Sequence, residues 1–186
     1  MTNPEIHPLL ESRWSPKQFT DRPVSPEDLR TLFEAARWAP SSFNAQPWAF
    51  IVGTRDEPEA WNAVLETLAA KNQEWASSAP VLFLAVAQGQ LPRRDRPNRH
   101  AFHDVGQAVA HLTVQASAMG LAVHQMGGFY PDKARETFGI PEDWEAVSVS
   151  ALGYPDAEMP DERSRKGMDD MIFAGRWGER ASWLDD

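Results

Sequence analysis

At 186 residues, with 42% hydrophobic and 24% charged side chains, the chain can build one domain with a buried core, which excludes a disordered or fibrous protein. A formal net charge of −9 repels phosphate backbones and anionic lipid, so neither nucleic acid nor a membrane surface is an expected partner. Cysteine is absent, which removes disulfides, thiolate metal sites and thiol nucleophiles together.

Met1 to Leu10 has no apolar run of the signal-peptide type, and no stretch approaches the roughly 18–20 apolar residues of a membrane helix, so the expected compartment is the cytoplasm. The first clear helix follows Ser25, a capping residue, with Pro26 at the first helical position and Asp28 near the positive helix end. Leu29, Leu32, Phe33 and Ala36 then share one face, and Pro40 ends the run. Ala49 to Gly53 predicts a short buried strand. Pro58 to Ala69 predicts a second helix, with Trp61, Val64, Leu65 and Leu68 on one face. Val81 to Ala87 is nearly continuous in apolar residues, as a central strand is. Leu91 to Arg99, rich in Arg and Pro, reads as a loop. Asp104 to Met119 is a long helix stopped by Gly120. Val105, Ala108, Val109, Leu112, Val114, Ala116 and Met119 give it an apolar surface wide enough for burial on more than one side. Leu121 to Gln125 and Ala146 to Leu152 predict further strands, and Asp132 to Phe138 a short helix stopped by Gly139. After the last strand come Met168, Met171, Ile172, Phe173, Trp177 and Trp183, too few for a second core. They pack on another subunit or fold back over their own sheet.

Four segments concentrate groups that could bind or react. In an extended segment Arg13, Ser15 and Lys17 point to one side, presenting two cations and a hydroxyl of the kind that holds a phosphate; the alternative is a solvated surface. The string Trp38-Ala39-Pro40-Ser41-Ser42-Phe43-Asn44-Ala45-Gln46-Pro47-Trp48 places hydroxyls and amides between prolines and tryptophans, suited to the edge of a flat heterocycle or to a rigid, self-satisfied turn. Met126-Gly127-Gly128-Phe129, directly after a strand, leaves room for a ligand against peptide N–H groups, or forms an ordinary turn. Arg163-Ser164-Arg165-Lys166 is a local cationic run in an acidic protein, either an anion site or a solvated face. His100, His103 and Asp104 fall at helical spacing, with His111 and His124 further on, but no tight zinc motif is present and no metal is expected. There is no Gly-x-Ser-x-Gly elbow and no phosphate-cradling Gly-rich loop with Lys.

In order and spacing, these segments resemble the FMN-dependent nitroreductase family. The matching signs are Arg13-x-Ser15-x-Lys17-x-Phe19, Ala39-Pro40-Ser41-Ser42-x-Asn44-x-Gln46-Pro47-Trp48, Ala118-Met119-Gly120-Leu121 after the long helix, Gly127-Gly128, and Arg163-x-Arg165. The resemblance implies an α+β fold of one domain over residues 1–186. It would be a three-layer α/β/α sandwich on a central mixed, mostly antiparallel sheet, forming an obligate homodimer with residues from about 167 to 186 packed on the partner subunit. It implies FMN as cofactor, held by Arg13, Trp14, Ser15, Lys17, Met126, Gly127, Gly128, Arg163 and Arg165. The loop of Pro40, Ser41, Ser42 and Asn44 would reach the flavin from the other subunit, and Gln46 is a further cofactor-binding candidate. The Gly127 backbone N–H would face the flavin N5; many relatives carry an acidic residue there. Asn72, Trp75, Phe129 and Tyr130 are the corresponding candidates for substrate contact. Arg93-Arg94-x-Arg96 is a candidate cover or contact for a nicotinamide phosphate. The implied activity is ping-pong hydride transfer from NADH or NADPH to a nitroaromatic, quinone or activated alkene, with no side-chain acid or base assigned. Its rivals are a flavin enzyme of another reaction type, such as a dehalogenase or dehydrogenase, and a flavin-binding sensor or storage protein without turnover.

Overall fold

The computed structural model describes residues 5–91, 96–161 and 163–184. Helices α1 (Pro8–Ser12) and α2 (Pro26–Arg37) precede strand β1 (Trp48–Thr54). Then come α3 (Pro58–Thr67), α4 (Ala70–Ala76), β2 (Val81–Gln88), α5 (Ala101–Ala118), β3 (Ala122–Met126), α6 (Pro131–Phe138) and β4 (Trp144–Gly153). The strands form one sheet in the order β1-β2-β4-β3. All three pairings are antiparallel, so the parallel component expected of a mixed sheet is not supplied by this chain's described residues.

The alternation of side chains along β2 builds the layers. Val81, Phe83, Ala85 and Ala87 point to one face and join Leu32 and Ala36 of α2 with Val105, Val109 and Leu112 of α5. Leu82, Leu84 and Val86 point to the other face and meet Trp61 and Val64 of α3, Ala76 of α4 and Ala134 of α6. A strand buried on both faces must be apolar throughout, which is why residues 81–87 show no polar alternation. Burying each such side chain contributes on the order of 1.5–3 kcal/mol. Phe33, Phe50 and Phe83 interlock in the α2 layer, with ring centroids 5.2–6.0 Å apart.

The helix ends follow local chemistry. The Ser25 hydroxyl accepts the Asp28 N–H at 3.0 Å, and Gly139 stops α6 at φ 61°. Two elements differ from expectation. Residues 58–69 are not one helix: Leu68 leaves α3 extended and pairs with Phe129 in an isolated antiparallel bridge. No Gly or Pro marks this break, because it is imposed by the chain after β3. The helix that follows, α4, is the result. The tail is partly buried and partly open: Ile172 and Phe173 are half-buried. Met168, Met171, Trp177 and Trp183 are exposed, Trp177 at 92%, although Ala181 and Leu184 are buried.

Candidate functional site

One group of residues assembles around the segment between α1 and α2. The Arg163 guanidinium crosses 150 positions of sequence to donate to the Arg13 carbonyl at 2.6 Å, and it also donates to the Glu11 carbonyl. The Arg13 side chain donates to the Ser15 hydroxyl at 3.3 Å. Burial, together with the nearby charges of Arg165 and Arg163, lowers the Arg13 pKa from its ordinary value. Among the described residues, Arg13, Lys17, Arg163 and Arg165 form no ion pair with a carboxylate. Arg165 and Arg163 thus act on Arg13 as like charges, and Arg163 is itself held by two backbone carbonyls. The two ends of the chain thus meet through the Arg163 guanidinium and the carbonyls of Glu11 and Arg13. Trp14 is half-buried beside this group.

A chain of contacts runs from there to the paired glycines. The His124 Nδ1 lies 2.8 Å from the Pro16 carbonyl and is placed to donate to it. Its ring packs on Trp75 with centroids 4.4 Å apart. Trp75 Nε1 donates to Asn72 Oδ1 at 3.2 Å, and Asn72 Nδ2 donates to the Gly128 carbonyl at 2.9 Å. That carbonyl also accepts the Ala69 N–H at 3.0 Å, and the Tyr130 N–H donates to the Thr67 carbonyl at 2.8 Å. The break at Leu68 is therefore what swings α4 against the glycines. Burial depresses the His124 pKa; the Lys17 charge acts in the same direction, against the raising effect of the Pro16 carbonyl. The sequence showed His124 only as an isolated histidine on a strand, so its link to residues 15–17 was not legible.

The glycine pair works through space rather than unusual backbone. Neither residue has a left-handed φ. A Cβ on Gly128 would sit 2.6 Å from Asn72 Nδ2, whereas one on Gly127 would meet nothing within 4 Å. Close approach at Gly128 thus comes from the chain's own Asn72 side chain. Neither glycine's N–H donates to an acceptor among the described residues. The Met126 side chain is buried in the core on the α3 and α6 side, so only its backbone borders this surface. Phe129 is half-buried and Tyr130 is exposed.

The loop from Pro40 to Gln46 lies elsewhere. The Ser42 N–H donates to Asp104 Oδ2 at 2.9 Å, and Gln107 Nε2 reaches the Pro40 carbonyl at 3.4 Å. The Ser41 hydroxyl accepts the Gln46 N–H at 2.9 Å. Phe43, Asn44 and Gln46 all have left-handed φ, at 55°, 52° and 49°. No described contact joins this loop to the Arg13 group. It rests on the first turn of α5, whereas Ser12 and Trp14 line a small cleft with Ser117 and Gly120 at the far end. Thirteen helical residues, roughly 20 Å at 1.5 Å each, separate Asp104 from Ser117. Arg96 lies over the Phe43 ring at 5.4 Å, while Arg93 and Arg94 fall outside the described residues. Among the described residues no group of three or more His, Asp or Glu could hold a metal ion, and no helix is long and apolar enough to cross a membrane.

A solved structure described as an oxidoreductase containing FMN is 31% identical, superimposes with a TM-score of 0.89, and matches over 97% of this chain and 96% of that one. An NADH dehydrogenase of Thermus thermophilus is 30% identical, over 78% of this chain and 84% of its own length. An FMN- and NADPH-dependent nitroreductase from a Sphigopyxis strain shares the fold at a TM-score of 0.73 and 23% identity, over 91% of this chain and 98% of that one. The family model described as "Nitroreductase family" matches residues 10–154, and the chain belongs to that family.

Proposed function

We propose that this chain is an FMN-dependent oxidoreductase that takes hydride from NADH or NADPH and delivers it to a small organic acceptor. The observation that carries the reading is the cluster of Arg13, Arg163 and Arg165 without a carboxylate partner, in a fold shared with an FMN-containing oxidoreductase. The residues fit the cofactor. The cations, with Lys17 and the Ser15 hydroxyl, match a phosphate, and an anion there relieves the mutual repulsion on Arg13. The Gly127 and Gly128 N–H groups are open for donation, and Asn72 and Trp75 flank them. When bound, FMN supplies the two-electron chemistry, passing hydride from the nicotinamide to a nitroaromatic, quinone or activated alkene in alternation. The chain's own part is to bind, orient and exclude water. No described side chain is placed as an acid or base, and none is needed for hydride transfer.

A second copy completes the site in this reading. Along the outer side of α5 lie Phe102, Gly106, Ala110, Val114 and Ala118, four apart, without a charge among them. Leu9, Leu10 and Trp38 border the same face in an apolar groove of about 650 Å³, and Trp38 is 73% exposed. Two α5 helices packed antiparallel across a two-fold axis bring the Asp104 end of one beside the Ser117 end of the other. The Pro40–Gln46 loop of one subunit then faces the Arg13 group of its partner. The exposed tail, with Met168, Met171, Trp177 and Trp183, packs on the partner subunit in the same assembly. The test is spectroscopic. The purified protein carries FMN, NADH or NADPH bleaches it anaerobically, and a quinone restores the colour. Flavin that is bound but not bleached by either nicotinamide makes the protein a sensor or store instead.

A further inference from the structure

The Pro40–Gln46 loop holds three non-glycine residues, Phe43, Asn44 and Gln46, in the left-handed region, and Phe43 is the costliest because its side chain is bulky. Such a backbone persists only where its surroundings fix it. The Ser41 hydroxyl closes the loop internally on the Gln46 N–H. The external fixing comes from α5. Asp104 is 2% exposed, and its carboxylate is turned away from solvent toward the loop. One oxygen accepts the Ser42 N–H at 2.9 Å, and the other lies 3.1 Å from His103 Nδ1. The same His103 Nδ1 lies 3.2 Å from Gln107 Nε2. Gln107, one turn on, reaches the Pro40 carbonyl. A carboxylate kept in the interior with one backbone N–H and one imidazole as partners is expensive unless the position of that N–H matters.

We infer that Asp104 is a positioning residue: it holds residues 41–46 in the strained shape that presents their amides and hydroxyls to the flavin ring, so that ring recognition depends on a side chain that does not touch the ring. The inference rests on the function proposed above. Removing the carboxylate lets the loop relax toward ordinary φ values and withdraws its donors from the ring, while the phosphate group of Arg13, Arg163 and Arg165 is untouched.

The test compares Asp104→Ala, Asp104→Asn and wild type in three measurements on the full chain. These are FMN affinity by fluorescence titration, thermal midpoint without flavin, and the midpoint potential of bound FMN. Asp104→Ala is expected to weaken FMN binding about tenfold to a hundredfold, the loss of one charge-assisted bond. The bound flavin's potential is expected to fall, because ring donors favour the reduced form. Asp104→Asn keeps an acceptor for the Ser42 N–H and is expected to restore affinity to within about fivefold and the potential toward wild type. If Asp104→Ala does not fold, the asparagine variant alone decides: an affinity as poor as that of an Arg13→Ala control, or a potential well below wild type, overturns the inference. Folded Asp104→Ala with wild-type affinity and potential also overturns it, leaving the proposed function intact. Wild-type protein that takes up no FMN overturns the proposed function itself.

Discussion

Replacing Gly128 with Ala is a sharp test of the contact chain between the two halves of the site. The new Cβ would lie 2.6 Å from Asn72 Nδ2, well inside contact distance, and the next atom is 3.7 Å away. Asn72 must therefore retreat by several tenths of an ångström. That movement breaks its bond to the Gly128 carbonyl at 2.9 Å and misaligns the Trp75 N–H, which donates to it at 3.2 Å. Each such bond contributes about 0.5–1.5 kcal/mol net, so the expected cost is about 1–3 kcal/mol. In a chain of this length that lowers the thermal midpoint by roughly 2–12 °C. The decisive assay is a double-mutant cycle by urea unfolding. In an Asn72→Ala background the obstructing amide is gone, and Gly128→Ala is expected to cost less than about 0.5 kcal/mol. Gly127→Ala, whose Cβ meets open space and whose φ is not left-handed, is expected to stay within about 0.5 kcal/mol of wild type in either background. Equal costs for Gly128→Ala with and without Asn72 would refute the reasoning.

Other outcomes follow from the same structure. The His124 pKa is depressed by burial, with Lys17 adding to it, so the folded chain binds fewer protons than the unfolded one as pH falls below the ordinary imidazole value of about 6.5. Stability should be full above that value, decline through the window below it, and level off once the folded imidazole also protonates; His124→Gln should flatten that part of the curve in denaturation measured from pH 8 to 4.5. Ala110→Arg places a charge on the exposed uncharged side of α5 and is expected to give a monomer with weakened FMN retention by size-exclusion chromatography, whereas a dimer of unchanged flavin content would argue against that face. Ser25→Ala removes the acceptor for the Asp28 N–H and should cost about 1 kcal/mol, with no effect on flavin affinity.

What the sequence disclosed depended on the range of the interaction responsible. The Ser25 cap, the Gly139 stop and the apolar run of β2 are local signals, and each produced the expected element. Arg13 and Arg163 were each visible as candidates, because cationic runs stand out in an acidic chain; their hydrogen bond across 150 positions became visible only in the fold. The break after α3 had no local mark, since Leu68 leaves the helix to pair with Phe129, and so α4 was missed and Asn72 and Trp75 had no assigned orientation. Asp104 read as the first residue of the long helix, at helical spacing with His100 and His103, when its carboxylate in fact faces a loop 62 positions earlier. The left-handed backbone at Phe43 was equally hidden, because nothing in an aromatic side chain announces a positive φ. The tail's two alternatives differ only in long-range packing, and its mixture of exposed Trp177 and Trp183 with buried Ala181 and Leu184 had no local mark in the sequence.

The central claim is that side chains from both ends of the chain recognise one phosphate. Calorimetric titration of flavin-free protein with FMN and with riboflavin, which lacks that group, tests it most directly. Wild type should prefer FMN by at least about a hundredfold, and Arg13→Ala should lose most of that preference while its riboflavin affinity is unchanged. Equal affinity of the wild-type protein for the two flavins would contradict the account.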